Sequence, residues 1–358
     1  MDCSGCNREL HLVDTASPYT TRVLTAPAAA PLFLPGDGGG GKPLSGLGKL
    51  VASRNGLLLF RTGEAGTPDE ALCVFSAATG RTRTLPPGLI FDGGQYAILA
   101  GDGEAGGAPD GQPFQVLKAS MEVSGRDSRL QTQTFSSKHG DWGPYTETPA
   151  PGVTGSRLRH LSRPLAAADA VHWLCVTDTG SHVVKLQLHL PAGGAGQQQQ
   201  AAAVTSTRLP ASFHARCPPH RRFEHVTLAT AWVGANPAVV MVDTGRVWMW
   251  VRPERATTRW RERAQVVVEK EAIMAFTGEM GEPVLDYGYG QVEWFGERSG
   301  VLLLRFPLLG YLWLHLPSRE ILRWSDVHYP YEDLSSWLPT FSPLLLIHPS
   351  INFVRYID

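Results

Sequence analysis

Residues 240–250 read VMVDTGRVWMW, and residues 174–184 read LCVTDTGSHVV. Each is an apolar run entering Asp-Thr-Gly and leaving as a second apolar run. One reading is a pair of aspartic-type catalytic carboxylates; the other is a strand, a turn and a strand. The catalytic reading needs two similar lobes that bring two carboxylates together to share one proton. Asp178 and Asp243 are 65 residues apart, too few for a lobe between them. The same corner recurs as Asp14-Thr-Ala, Ala78-Thr-Gly and Pro317-Ser-Arg, each between two strand-like runs. The hairpin pattern outlives the loss of the Asp or the Gly, so the position selects for turning. A hydrolase built on Asp178 and Asp243 is therefore the remote alternative.

Working outward, other strand-like runs are short and rich in Val, Leu, Trp and Phe: 56–61, 72–76, 171–176, 182–190, 300–306 and 311–316. The 38 glycines and 27 prolines punctuate them, and long amphipathic helical patterns are scarce. That texture predicts an all-β chain. Residues 51–60 with 72–85 and residues 295–304 with 311–324 repeat one scheme of turn, strand, loop, strand, turn and strand. A unit of about 40 to 50 residues with up to four strands is a propeller blade. We expect a single β-propeller-like domain over 1–358, with six or seven blades. Residues 10–24 resemble an outer half of a unit and 343–357 an inner half, which predicts closure by strands from both termini and hides two sheet edges. A short helix is expected at 332–338. Gly/Ala/Gln-rich stretches at 34–48, 101–113 and 191–203 read as flexible loop insertions.

Composition narrows function. Apolar residues make up 43% and charged residues 18%, with a formal net charge of −1. Such a balance argues against broad capture of nucleic acid or anionic membrane. The N-terminus lacks a secretory pattern, no run approaches 18 apolar residues, and five scattered cysteines do not make a disulfide framework. The expectation is a soluble, reduced, monomeric protein of the cytoplasm or nucleus. Cys3-x-x-Cys6 is a lone pair short of four zinc ligands. No P-loop, dinucleotide fingerprint or hydrolase motif appears, so no catalytic residue, cofactor or metal is expected.

Trp232, Trp248, Trp250, Trp294 and Trp313 are read as packing between blades, with Trp248 and Trp250 on one face of their strand. The locally distinctive loop is 214–225, HARCPPHRRFEH. There Arg216, His220, Arg221 and Arg222 are the candidate partner-binding residues, suited to an acidic or phosphorylated partner.

Residues 51–60, VASRNGLLLF, and 73–87, CVFSAATGRTRTLPP, resemble the opening motifs of plant F-box-associated domains. Residues 130–142, LQTQTFSSKHGDW, 171–174, VHWL, and 319–340 resemble later units of that family. The resemblance implies a propeller-like fold related to Kelch repeats. It also implies a non-enzymatic protein-recognition role, as in the substrate-recruiting part of a cullin-based ubiquitin ligase. Residues 1–48 carry no F-box pattern, so docking of a ligase adaptor is not expected. A glycan- or small-molecule-binding propeller is the alternative.

Overall fold

The computed structural model describes residues 9–13, 21–24, 49–54, 56–64, 66–76, 82–100, 113–167, 170–188, 203–217, 223–230, 237–243, 245–252, 259–277, 290–297, 299–306, 310–325 and 355–357. The chain begins with β1 (Glu9–Val13) and β2 (Thr21–Leu24). The first four-stranded sheet follows, with β3 (Lys49–Arg54), β4 (Leu57–Thr62), β5 (Ala71–Ser76) and β6 (Thr82–Thr84). The second holds β7 (Gln95–Ala100), β8 (Phe114–Glu122), β9 (Arg129–Ser136) and β10 (Thr146–Pro149). The third holds β11 (Leu158–Leu161), β12 (Leu165–Ala167), β13 (Ala170–Thr177), β14 (Ser181–Gln187) and β15 (Val204–Arg208). Helix α1 (Ala211–Arg216) leads to the fourth, with β16 (Val226–Thr230), β17 (Pro237–Asp243), β18 (Arg246–Val251) and β19 (Gln265–Val268). Helix α2 (Lys270–Thr277) leads to the fifth, with β20 (Gln291–Phe295), β21 (Val301–Phe306), β22 (Gly310–His315) and β23 (Glu320–Ser325). Strand β24 (Arg355–Ile357) closes the list.

Each of the five sheets is an up-and-down meander in which strands consecutive in sequence are neighbours, and β11 and β12 share one edge of β13. This is an all-β propeller with five blades, not the six or seven expected from the repeat length. The five blades occupy residues 49–325, which leaves only the two ends of the chain for anything further. There a three-stranded sheet runs β2-β1-β24, with Glu9 opposite Ile357 and His11 opposite Arg355. Strands from the two termini therefore pair, as expected from the half-units.

By contacts the chain forms two compact units. One comprises 1–118, 133–144 and 329–358, and the other 119–132 and 145–328. In the first, Leu57, Leu59, Leu72 and Val74 of one blade pack with Tyr96, Ile98, Val116 and Phe135 of the next. In the second, β17 and β18 lie between two neighbouring sheets, and the stretch VMVDTGRVWMW shows how. Ala238, Val240, Val242, Val247 and Met249 pack with Leu302, Leu304 and Phe306 of β21. Val239, Met241 and Trp250, with Trp248 against them, pack with Leu174, Val176 and Val183 of the third sheet. Period-2 alternation thus sends adjacent residues into two different cores. A middle strand covered on both faces reads as an unbroken apolar run. The outermost β6 and β15, covered less, keep their Thr and Arg side chains in water.

The Asp-Thr-Gly corners turn in two ways. Asp243 pairs directly with Arg246, and Gly245 takes φ +87° in the tight loop between them. The other loop is longer, since its last ladder pair is Val176 with Ser181. At the equivalent corner after β22 the positive φ, +60°, falls on Arg319. The corner containing Ala78-Thr-Gly, most of 34–48, 101–113 and 191–203, the helix expected at 332–338, and Cys3 and Cys6 lie outside the described residues.

Candidate functional site: a basic groove beside helix α1

Helix α1 begins the loop singled out in the sequence, and its own first turn lacks a cap. Pro210 stands at the N-cap position with φ −69° and ψ 160° and offers no side-chain acceptor. A residue fifty positions away supplies it. The Glu262 carboxylate accepts the Ser212 N–H at 3.2 Å, while the Ser212 hydroxyl donates to the Glu262 carbonyl. The Trp250 indole donates in turn to the Ser212 hydroxyl at 3.1 Å. Phe213, fully buried, meets the Trp250 ring edge-on with centroids 5.2 Å apart. A six-residue helix is marginal alone, so this docking and capping hold it.

The docked helix presents its basic end. Arg216 projects to the surface with its guanidinium 3.9 Å above the Trp248 ring, a cation–π contact that fixes the side chain without neutralising it. Along the helix lies a groove of about 370 Å³ lined by Ser206, Thr207, Arg208, Pro210, Arg259, Trp260 and Glu262. Arg208 donates to the Thr179 carbonyl at 3.4 Å. Among the described residues neither Arg208 nor Arg259 has a carboxylate partner. The local field is positive. Burial pushes the His182 ring down to about 4, and the charges of Arg208 and His214 add to the shift. His214 is lowered too, by burial and then by Arg208.

Of the four candidate partner residues, the structure places Arg216 on this face; His220, Arg221 and Arg222 lie outside the described residues. Sequence reading missed Arg208, Arg259 and Trp260. A signal was present in 252–263, RPERATTRWRER, which is dense in arginine around one tryptophan.

Behind the helix, Cys217 and His225 are buried with Sγ and Nε2 3.7 Å apart. His160 stacks on Phe223 at 5.1 Å, and burial with the nearby His225 pushes it down to about 4. Burial thus favours the neutral form of the His160 ring. Cys73 and Cys175 are core residues, their thiols pushed up by burial to about 11 and about 12. Among the described residues no group of three His, Cys, Asp or Glu side chains could hold a metal ion, and no helix is long and apolar enough to cross a membrane.

Asp178 is occupied structurally. Its carboxylate accepts the Ser156 N–H at 2.9 Å, the Ser156 hydroxyl at 2.6 Å and the Arg157 N–H at 3.3 Å. Gly155 permits this approach, because a Cβ there would lie 2.5 Å from the carboxylate. The turn after Asp178 is capped by Thr177, its hydroxyl oxygen accepting from the Thr179 and Gly180 N–H groups at 3.2 Å each. The bonds from Ser156 and Arg157 hold the Asp178 carboxyl below its ordinary range. Its folded value is depressed, so its contribution is full above the unfolded carboxylate value, about 4, and is lost as pH falls through the lower folded value. Asp178→Asn should accordingly lower the melting temperature at pH 7 and flatten its fall as the pH drops below about 4. Superimposable melting profiles for the two proteins would refute that role.

A family model for a domain of unknown function, DUF7595, matches residues 48–329. No curated protein matches the chain. Among solved structures, a prolyl endopeptidase is similar at 11% identity and a TM-score of 0.40, over 91% of this chain and 49% of that one. TolB from Acinetobacter baumannii is similar at 12% identity and 0.31, over 87% and 62%. AztD from Citrobacter koseri is similar at 12% and 0.33, over 92% and 84%. The chain thus spans about half the length of the prolyl endopeptidase. The family match supports neither a plant origin nor membership among F-box-associated domains.

Proposed function

The chain belongs to the DUF7595 family, and we propose that it is a non-enzymatic protein-recognition domain whose partner docks on the face built by helix α1 and residues 259–263. The observations that carry the reading are the groove lined by Arg208 and Arg259, which have no carboxylate partner among the described residues, and the exposed Arg216 held over the Trp248 ring at the other end of the helix. The capped, docked helix and the Trp248 ring keep Arg216 in place before a partner arrives, so little ordering of that side chain opposes binding. Uncompensated arginines in a groove favour an acidic partner and exclude basic ones.

The finer reading is substrate recruitment for a ubiquitin ligase by a monomer in the cytoplasm or nucleus. It rests on the motifs at 51–60, 73–87, 130–142, 171–174 and 319–340. The sheet β2-β1-β24 is, in the same proposal, a sixth blade completed from both termini.

Affinity capture from native extract tests the function, comparing the wild-type chain with Arg216→Glu. Arg216 is exposed, so the variant should melt near the wild-type temperature, with a stability change of about 1 kcal/mol or less. Proteins retained by the wild type should be lost with Arg216→Glu. Identical captured sets would overturn the reading of this face. A ligase adaptor co-purifying with the wild type would support the ligase reading, and its reproducible absence would remove it.

A further inference from the structure

We propose that the groove beside helix α1 is a phosphoryl-binding site that takes a phosphorylated serine or threonine side chain of the partner. The inference rests on the reading of this face as the partner interface, and it names the chemical group that the interface selects.

The donors point to the anion. Arg208 and Arg259 line the groove, and Thr207 contributes to its lining. Ser206 is not a further donor, because its hydroxyl donates to the Pro151 carbonyl. Glu262 lines the groove too, but its Oε1 accepts from the first turn of α1. Trp260 is 7% exposed, and its indole N–H is buried without an acceptor among the described residues. Among the described residues the two guanidiniums have no carboxylate partner, and beyond the Arg208 bond to the Thr179 carbonyl they supply more donors than the two oxygens of a side-chain carboxylate take up well. A phosphate monoester offers three acceptor oxygens and about −1.5 to −2 charge.

The surroundings agree. Burial first, and then the charge on Arg208, lower both the His182 and the His214 ring, so the Arg208 charge is felt by its neighbours. An entering dianion relieves that repulsion. A volume of about 370 Å³ accommodates a phosphorylated side chain with some flanking backbone, and the Trp260 ring gives that backbone an apolar wall.

Fluorescence anisotropy with a labelled peptide, Ala-Ala-Gly-phosphoSer-Gly-Ala-Ala, tests the site on the full chain. Competitors are the unphosphorylated peptide, the peptide with Asp at the centre, and inorganic phosphate. The phosphopeptide should bind at least about tenfold more tightly than either other peptide. Arg208→Gln and Arg259→Gln should each weaken it by about tenfold, with unchanged melting temperatures because both side chains are exposed. Binding should fall as salt rises. In a histidine NMR titration the His214 ring should move upward when the phosphopeptide is bound.

Equal affinity for phosphorylated and unphosphorylated peptides, or binding indifferent to both arginines, overturns the inference. Inorganic phosphate binding as tightly as the phosphopeptide overturns it as well, since the site would then be one for a free anion. If the phosphopeptide fails while Arg216→Glu still abolishes partner capture, the recognition face stands and only its phosphoryl chemistry falls. If the phosphopeptide binds but the captured proteins are indifferent to Arg216, the recognition reading fails instead.

Discussion

Replacing Lys118 with methionine should destabilise the protein by about 3–5 kcal/mol, the usual cost of stranding one member of a buried ion pair. The Lys118 ammonium lies 2.9 Å from the Glu70 carboxylate, and each side chain is only 4% exposed. The Tyr96 hydroxyl donates to the other Glu70 oxygen, and the Gly66 N–H lies 3.4 Å from the first. The rings of Phe91 and Tyr96 flank the ammonium, with centroids 5.4 and 5.5 Å away. Burial, and then the bond to Glu70, push the Tyr96 phenol far above its ordinary value, so it remains a donor. Lys118→Met removes the counter-charge and leaves the carboxylate with neutral donors alone. Adding Glu70→Gln should recover at least half of the loss, because an amide still accepts the Tyr96 hydroxyl without a buried charge. Urea unfolding of the single and double variants checks both statements. A single variant within about 1 kcal/mol of wild type would show that the pair is not buried as described.

Trp250→Ala should cost a similar amount, about 3–5 kcal/mol, and should also release helix α1. Trp250 is fully buried among Val239, Met241 and Leu228, carries Phe213 on its ring, and donates to the Ser212 hydroxyl. Removing the indole opens a cavity at the point where the helix joins its blade. Trp250→Phe keeps most of the packing and loses the hydrogen bond, a cost of about 1 kcal/mol plus any repacking strain. Trp250→Ala should therefore lose partner capture together with stability, whereas Trp250→Phe should keep capture. Urea midpoints and near-ultraviolet circular dichroism read the two effects. Equal small losses in the two variants would mean that the helix does not depend on this tryptophan.

The strands and their faces were legible because alternation is local. In VMVDTGRVWMW the chain itself separates Val240, Val242, Val247 and Met249 from Met241, Trp248 and Trp250, and the structure sends those sets into different cores. That the Asp-Thr-Gly corner turns was legible too, but not that the Asp178 carboxylate ties it to Ser156, 22 residues away on another loop. Pairings that arise only when distant segments meet left no local trace. Glu262 caps a helix fifty residues before it, and Lys118 finds Glu70 across 48 residues. A lysine inside the apolar run VLKASM signalled that a partner existed without saying which. The groove was half legible. The basic end of α1 stood out in the sequence, but Arg208 and Arg259 come together with each other only through the fold. The count of described blades differs from the expected one because the recurring unit was read from length, whereas the described blades run from 35 residues (291–325) to 55 (95–149).

Site-specific photo-cross-linking tests the central claim most directly. A benzophenone side chain placed at Arg261, an exposed position beside the groove, is compared with one at Arg129, which is exposed on β9. Recognition through the face of helix α1 predicts that captured partners become attached from position 261 and not from position 129. Attachment from position 129 with none from position 261 would contradict it.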